Sequence, residues 1–157
     1  MWTVIDSPVG ELRLVAQHDA ITVIEFAPFR DGRVVGDRDD ADPVLVEAVR
    51  QLRAYFAREL TDFDLPLAPV GSDFQRRVWA ELTGIGFGRT ASYGEIARRL
   101  GMTNAASRAV GLANGRNPIP IVIPCHRVIG ANGTLTGYAG GLERKQTLLS
   151  LEQPALF

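Results

Sequence analysis

The chain has 157 residues, 46% of them hydrophobic, enough to bury a core in one compact unit or two small ones. No apolar run is long enough to span a bilayer, and the opening "MWTVIDSPVG" has neither a charged n-region nor an apolar h-region, so no membrane span and no signal peptide are expected. One cysteine and two histidines give no internal disulfide and no zinc site, so a soluble, cytoplasmic protein without metal or cofactor is expected, and the net charge of −1 adds nothing until the chain is divided.

Alternating apolar stretches over "TVIDSPVGELRLVAQHDAITVIEFA", broken at Ser7-Pro8, Gly10 and His18-Asp19, predict two or three short antiparallel strands joined by hairpins. An acidic, glycine-containing loop follows over Asp31–Asp42. "DPVLVEAVRQLRAYFAREL" predicts a helix with Asp42 as N-cap and Pro43 in its first turn, its apolar face formed by Val46, Val49, Leu52, Phe56 and Leu60. "TDFDLPLAPVGS" reads as a linker, which divides an α+β domain over 1–66 from a second domain over 67–157.

The second domain reads as mainly helical. "SDFQRRVWAELTGI" starts at a Ser72 or Asp73 cap and turns Phe74, Val78 and Leu82 inward. "SYGEIARRLG" carries a capping box, Ser92 with Glu95, and closes on Gly101. After the turn "MTN", Thr103 or Asn104 caps "AASRAVGLANG", and the two short helices form a helix-turn-helix candidate. The second helix is rich in small residues (Ala105, Ala106, Ala109, Gly111) and carries Arg108, a surface that lets a phosphate backbone approach closely. Charge is uneven: residues 1–70 hold 7 Arg against 13 acids, a net of −6, and residues 71–157 hold 9 Arg and 1 Lys against 5 acids, a net of +5, which reads equally as a polyanion partner for the second half or as an uneven solvated surface. "NPIPIVIPC" has three prolines and reads as an extended buried segment; "GYAGGLERKQTLLSLEQP" reads as a glycine pair followed by a terminal helix ending before Pro154.

Cys125 reads equally as a buried structural thiol or as a nucleophile. His126 follows it directly, so the two side chains meet only if the chain turns there. Glu152 closes an apolar run near a helix C-terminus, where a carboxylate opposes the helix dipole; it reads either as a solvated helix end or as the acid that orients His126. Tyr93, just after the Ser92 cap, is undecided between surface residue and phenol donor.

"IPCHRVIG", with "SRAVGLANGRNPIPIV" upstream and "GYAGGLERKQTLLSLE" downstream, resembles the O6-alkylguanine-DNA alkyltransferases, the methylated-DNA–protein-cysteine methyltransferases. "FQRRVW" and "SYGEIA" fall where that family has its equivalents, and "SPVGELRLVA" matches it more weakly. The resemblance implies a ribonuclease-H-like N-terminal domain, an antiparallel sheet plus helix, and a mainly α C-terminal domain with a winged-helix-like helix-turn-helix. It implies Cys125 as alkyl acceptor, His126 as its base through a water, Glu152 as orienter of His126, Tyr93 as proton donor to the leaving guanine and Asn117 as hinge. It makes Arg108 the finger that holds the gap left by a flipped base. Pro120, Val128, Tyr138, Ala139 and Gly140 would line the pocket. Ala139 stands where the family often has serine. The implied partner is double-stranded DNA containing O6-alkylguanine, with O4-alkylthymine a further candidate, and the implied protein acts once, as a monomer, with no metal and no cofactor. A lesion-sensing DNA-binding regulator and a Cys-His-Glu hydrolase remain as alternatives. For Arg127 the expectation is a structural salt bridge.

Overall fold

The computed structural model describes residues 1–30, 32, 34, 36–133, 137–138 and 140–153. Positions 31, 33 and 35 of the expected acidic loop, together with Ala139 and Pro154, lie outside the described residues. Backbone contacts divide the chain into two units, Met1–Val70 and Gly71–Phe157.

In the first unit, β1 (Trp2–Ile5), β2 (Leu12–Gln17) and β3 (Ala20–Phe26) form an antiparallel sheet in that order, with Trp2 opposite Val15 and Leu14 opposite Ile24. The β2–β3 hairpin turns on His18 and Asp19, whose φ values of 50° and 61° match a two-residue primed turn that fits the twist of the flanking strands. β2 is central, and its Leu12, Leu14 and Val15 are buried. The helix α1 (Pro43–Phe56) starts as expected, with the Asp42 carboxylate accepting from the Leu45 N–H at 3.1 Å and proline in the first turn.

Its buried face differs from the expected one. Leu45, Ala48, Leu52 and Tyr55 are buried, whereas Val46 is exposed and Leu60 lies beyond the helix end. The reason is that two apolar stripes overlap in "PVLVEAVRQLRAYF", and the sheet takes the one that carries the Tyr55 ring. That ring packs against Phe56 and Phe63, each with centroids 5.3 Å apart. Gln51 is also buried, because its amide both donates to Asp64 O and accepts from Asp64 N–H, each at 2.9 Å, and so fastens the chain leaving α1.

The second unit begins with α2 (Asp73–Leu82), which Ser72 and Gln75 start with a reciprocal capping box. Val78, Trp79 and Leu82 are buried, while Phe74 is only half-buried. The Trp79 indole N–H donates to Ala113 O at 2.8 Å, joining α2 to the later helix that carries Ala113. The helices α3 (Tyr93–Arg99) and α4 (Ser107–Gly115) make a helix-turn-helix, with Ser92 capping Glu95 N–H and Gly101 at φ 76° just past the first helix. α4 is shorter than expected. Residues 104–106 form a 3-10 turn, neither Thr103 nor Asn104 caps by its side chain, and the Ser107 hydroxyl donates to Asn104 O at 2.7 Å.

The segment 117–124 is buried but not extended. Ile123 N–H donates to Ile119 O at 3.0 Å and Ile121 has φ 73°, so the prolines flank consecutive turns instead of a strand. It feeds a 3-10 turn over Cys125–Arg127 and then β5 (Val128–Ile129), which pairs in parallel with β4 (Ala91–Ser92). The last helix is α5 (Leu142–Glu152), with Lys145, Leu148, Leu149 and Glu152 on its buried face.

Trp79→Phe deletes the α2–α4 hydrogen bond and part of the packing, so it is expected to cost about 1–3 kcal/mol in a urea unfolding titration. No change in the midpoint would show that the indole N–H does not tie the two helices.

Candidate active site

The chain does turn at Cys125–Arg127, in a 3-10 turn that departs from the two-fold alternation of a strand. Cys125 is buried and His126 fully so. His126 Nε2 lies 2.6 Å from Glu152 Oε2. Glu152 is gripped a second time by Arg127, whose Nε meets Oε1 at 2.8 Å and whose Nη2 meets Oε2 at 3.1 Å; Arg127 Nη1 also donates to Ile85 O at 2.6 Å. The Gly88 N–H donates to Glu152 Oε1 at 3.2 Å. Arg127 is thus a structural ion-pair residue, as expected.

The electrostatics follow from burial and these partners. Burial would raise the Glu152 carboxyl, but the hydrogen bonds and charges of His126 and Arg127 outweigh it and hold the group at about 2. Burial lowers the His126 imidazole despite the pull of Glu152, so the ring is neutral at pH 7. With Glu152 ionised, the ring proton belongs on Nε2. Nδ1 is then a lone-pair acceptor, and it has no hydrogen-bond partner among the described residues. Burial pushes the Cys125 thiol up, against hydrogen bonds from Asn117 and Tyr138 and the positive charge of Lys145.

Asn117 earns its place through the backbone as well. Its amide donates to Ile123 O at 2.7 Å and its oxygen accepts from Ile119 N–H at 3.0 Å, which shapes the turns leading to Cys125. Pro120, Val128 and Gly140 are buried and Tyr138 is half-buried. The expected pocket residue Ala139 is outside the described set. Tyr93, Arg108 and Gly111 share an open groove with Ser107, Leu112, Gly115, Arg116 and Gly137. A Cβ placed on Gly111 would sit 3.7 Å from the Tyr93 ring, so the ring packs against α4 at this glycine. Ala105 and Ala109 are exposed at the start of this region and Ala106 is half-buried; none of the three lines the groove.

Three participants escaped the sequence reading. Lys145 is fully exposed to none of the solvent (0%), and its ammonium donates to Val128 O at 2.6 Å. Asn114 is buried, with its amide 3.4 Å from Cys125 O. Leu112, 63% exposed, adds an apolar tip to the groove beside Arg116. A signal existed for Lys145: it lies seven residues before Glu152, so the two charges fall on one apolar helix face. Among the described residues, no helix is long and apolar enough to cross a membrane, and no group of three or more His, Cys, Asp or Glu could hold a metal ion.

A helix-turn-helix in one unit with a buried cysteine, followed in sequence by a histidine held by a buried carboxylate, points to a cysteine enzyme that handles DNA. Family models agree: residues 73–154 match the DNA-binding domain of 6-O-methylguanine DNA methyltransferase and residues 1–69 its ribonuclease-like domain. A methylated-DNA–protein-cysteine methyltransferase of Mycolicibacterium paratuberculosis is 54% identical over 95% of this chain and 90% of its own. One from Methanosarcina acetivorans is 49% identical over 96% and 97%. The crystal structure of Mycobacterium tuberculosis O6-methylguanine methyltransferase has a TM-score of 0.87 at 50% identity, covering 98% of this chain and 92% of that one. The chain belongs to the 6-O-methylguanine DNA methyltransferase family, and its fold is that of an α+β ribonuclease-like domain followed by a helical DNA-binding domain.

Acid should unfold the protein in two stages. The unfolded chain takes up a proton on His126 near 6.5 while the folded imidazole resists it, so stability falls as pH drops below 6.5. Glu152 has its carboxyl at about 2 when folded against 4.5 otherwise, so its contribution is complete above 4.5 and lost as pH falls to 2, on the order of 3 kcal/mol. Melting temperatures from pH 8 to pH 2 test this; a Glu152→Gln variant that loses stability as steeply below pH 4.5 would contradict it.

Proposed function

We propose that the protein repairs duplex DNA by moving an alkyl group, methyl in the simplest case, from O6 of guanine to the sulfur of Cys125, once per molecule. The observation that carries the reading is the buried Cys125–His126–Glu152 arrangement, in which a neutral imidazole keeps an accepting Nδ1 next in sequence to the sole thiol. The thiol proton passes through a water to Nδ1, and Glu152 stabilises the imidazolium that forms. The thiolate attacks the alkyl carbon; the C–O bond breaks with its electron pair going to guanine, which Tyr93 protonates as it leaves. The product is a thioether with no ready leaving route, so the protein is consumed.

The substrate base must leave the stack to reach a buried sulfur. The groove fits that need: Arg108 enters the duplex in place of the base, while Gly111 and the neighbouring small residues Ala105, Ala106 and Ala109 let α4 approach the backbone. Pro120, Val128, Tyr138, Ala139 and Gly140 would surround the flipped base and its alkyl group, and Asn117 holds the active-site turns to the helix-turn-helix. Double-stranded DNA carrying O6-alkylguanine is the partner, O4-alkylthymine is a further candidate, and the protein acts as a monomer in the cytoplasm. Support for DNA comes from a relative of known structure, Mycobacterium tuberculosis OGT in complex with DNA, 50% identical with a TM-score of 0.86. Family membership does not favour the sensor or the hydrolase.

Incubation with duplex containing O6-methylguanine, followed by digestion and mass spectrometry, is expected to add one methyl to the Cys125 peptide and none in Cys125→Ser. Repeated turnover would indicate a hydrolase, and an unmodified peptide on bound DNA a sensor. Arg108→Ala is expected to slow repair of duplex at least tenfold more than reaction with free O6-benzylguanine; equal losses would remove Arg108 from base flipping.

A further inference from the structure

The groove along α4 is bordered by cations, yet an apolar side chain stands in its middle. Leu112 is 63% exposed, more than any other large apolar side chain among the described residues of the second unit. A solitary exposed leucine is ordinary on a convex surface and needs no explanation there. This one lines the concave groove that also holds Tyr93, Arg108 and Arg116. α4 turns Val110 and Ala113 to the core, so Leu112 belongs to the opposite, solvent-facing side of the helix.

Spacing sets the leucine between two arginines. Arg108, Leu112 and Arg116 follow one another at intervals of four residues, so each neighbours the next on one side of the helix, with a rise of about 6 Å per interval. All three are exposed, and neither guanidinium enters a salt bridge among the described residues.

We propose that Leu112 is a DNA-contacting residue: its side chain packs on the nucleotide that flanks the extruded base, one helical turn from Arg108, and keeps water out of the gap. The inference rests on the reading of this groove as the face that meets alkylated duplex.

The chemistry of the two surfaces matches. Extrusion of a base uncovers the apolar faces of its former neighbours and the carbons of the adjoining sugar, and the unstacking must be offset by new contacts. Arg108 fills the place of the base, and Arg116 offers its fork to a phosphate beyond it. Between them lies the part of the opened duplex that neither guanidinium covers well. A leucine buried there removes apolar area from water, which a polar side chain at the same position would leave wet.

The test uses the full chain carrying Cys125→Ser, which lacks the accepting sulfur, and a labelled duplex containing O6-methylguanine, titrated at several salt concentrations. Adding Leu112→Ala is expected to weaken binding about tenfold, with the slope of log affinity against log salt preserved because no charge is lost. Leu112→Met, apolar and similar in size, should recover most of that affinity, whereas Leu112→Asn, close in volume but polar, should bind like Leu112→Ala. Unchanged affinity in Leu112→Ala would overturn the proposal, as would equal binding by Leu112→Met and Leu112→Asn. A slope lowered by about one, the sign of a lost phosphate contact, would overturn it too. If the series behaves as expected but the unsubstituted chain transfers no methyl, the contact stands and the alkyl-transfer reading falls. If methyl is transferred and the series stays level, the reverse holds. A chain that does not bind the alkylated duplex overturns both.

Discussion

The carboxylate of Glu152 is the point on which the second unit depends. A negative charge at the C-terminal end of α5 opposes the helix dipole, and here it is also withdrawn from water. Such a group persists only with close, well-directed partners. Both come from one 3-10 turn: His126 takes Oε2, and Arg127 spans the two oxygens with its fork. The last helix is thereby pinned to the turn that carries Cys125, and the position of the sulfur follows from the position of a helix end.

The remaining constraints act on the backbone of that turn. The parallel pairing of Ala91–Ser92 with Val128–Ile129 fastens the cap of α3 just beyond the cysteine, which places Tyr93 at the start of a helix registered to the active-site strand. Asn117 closes the turns before Cys125 by bonding both Ile119 and Ile123. The Trp79 indole holds α2 to the end of α4, so the helix that carries Arg108 is fixed at its far end by the core. Rigid placement of this kind is what an alkyl-transfer reaction requires, because proximity and orientation of sulfur and alkyl carbon supply much of the rate.

Local signals carried most of the fold. Caps at Asp42, Ser72 and Ser92 were legible because each uses a short polar side chain at a fixed offset from the first turn, and the helix-turn-helix followed from them. The buried face of α1 was not, since two apolar stripes competed and only the sheet decides between them. The turns over 117–124 were misjudged as extended because prolines exclude helix without specifying what replaces it. At the site, Cys125 and His126 stood out by scarcity and sequence motif. Lys145 and Asn114 did not, for their roles arise from what lies opposite them after folding. Even so, two charges at i and i+7 on one apolar face of α5 were a readable warning.

The division of cations in this unit has its own logic. Where two oxygens must be gripped at once, at Glu152, the chain uses the planar fork of arginine, whose proton never leaves. Arginine again lines the groove that faces solvent, at Arg108 and Arg116, where bidentate donors suit phosphate. The single lysine is buried on α5 instead, a compact charge on a flexible stem whose proton affinity responds to its surroundings. A compact ammonium suits this place, where it donates to Val128 O and so ties α5 to the strand that leaves the Cys125 turn.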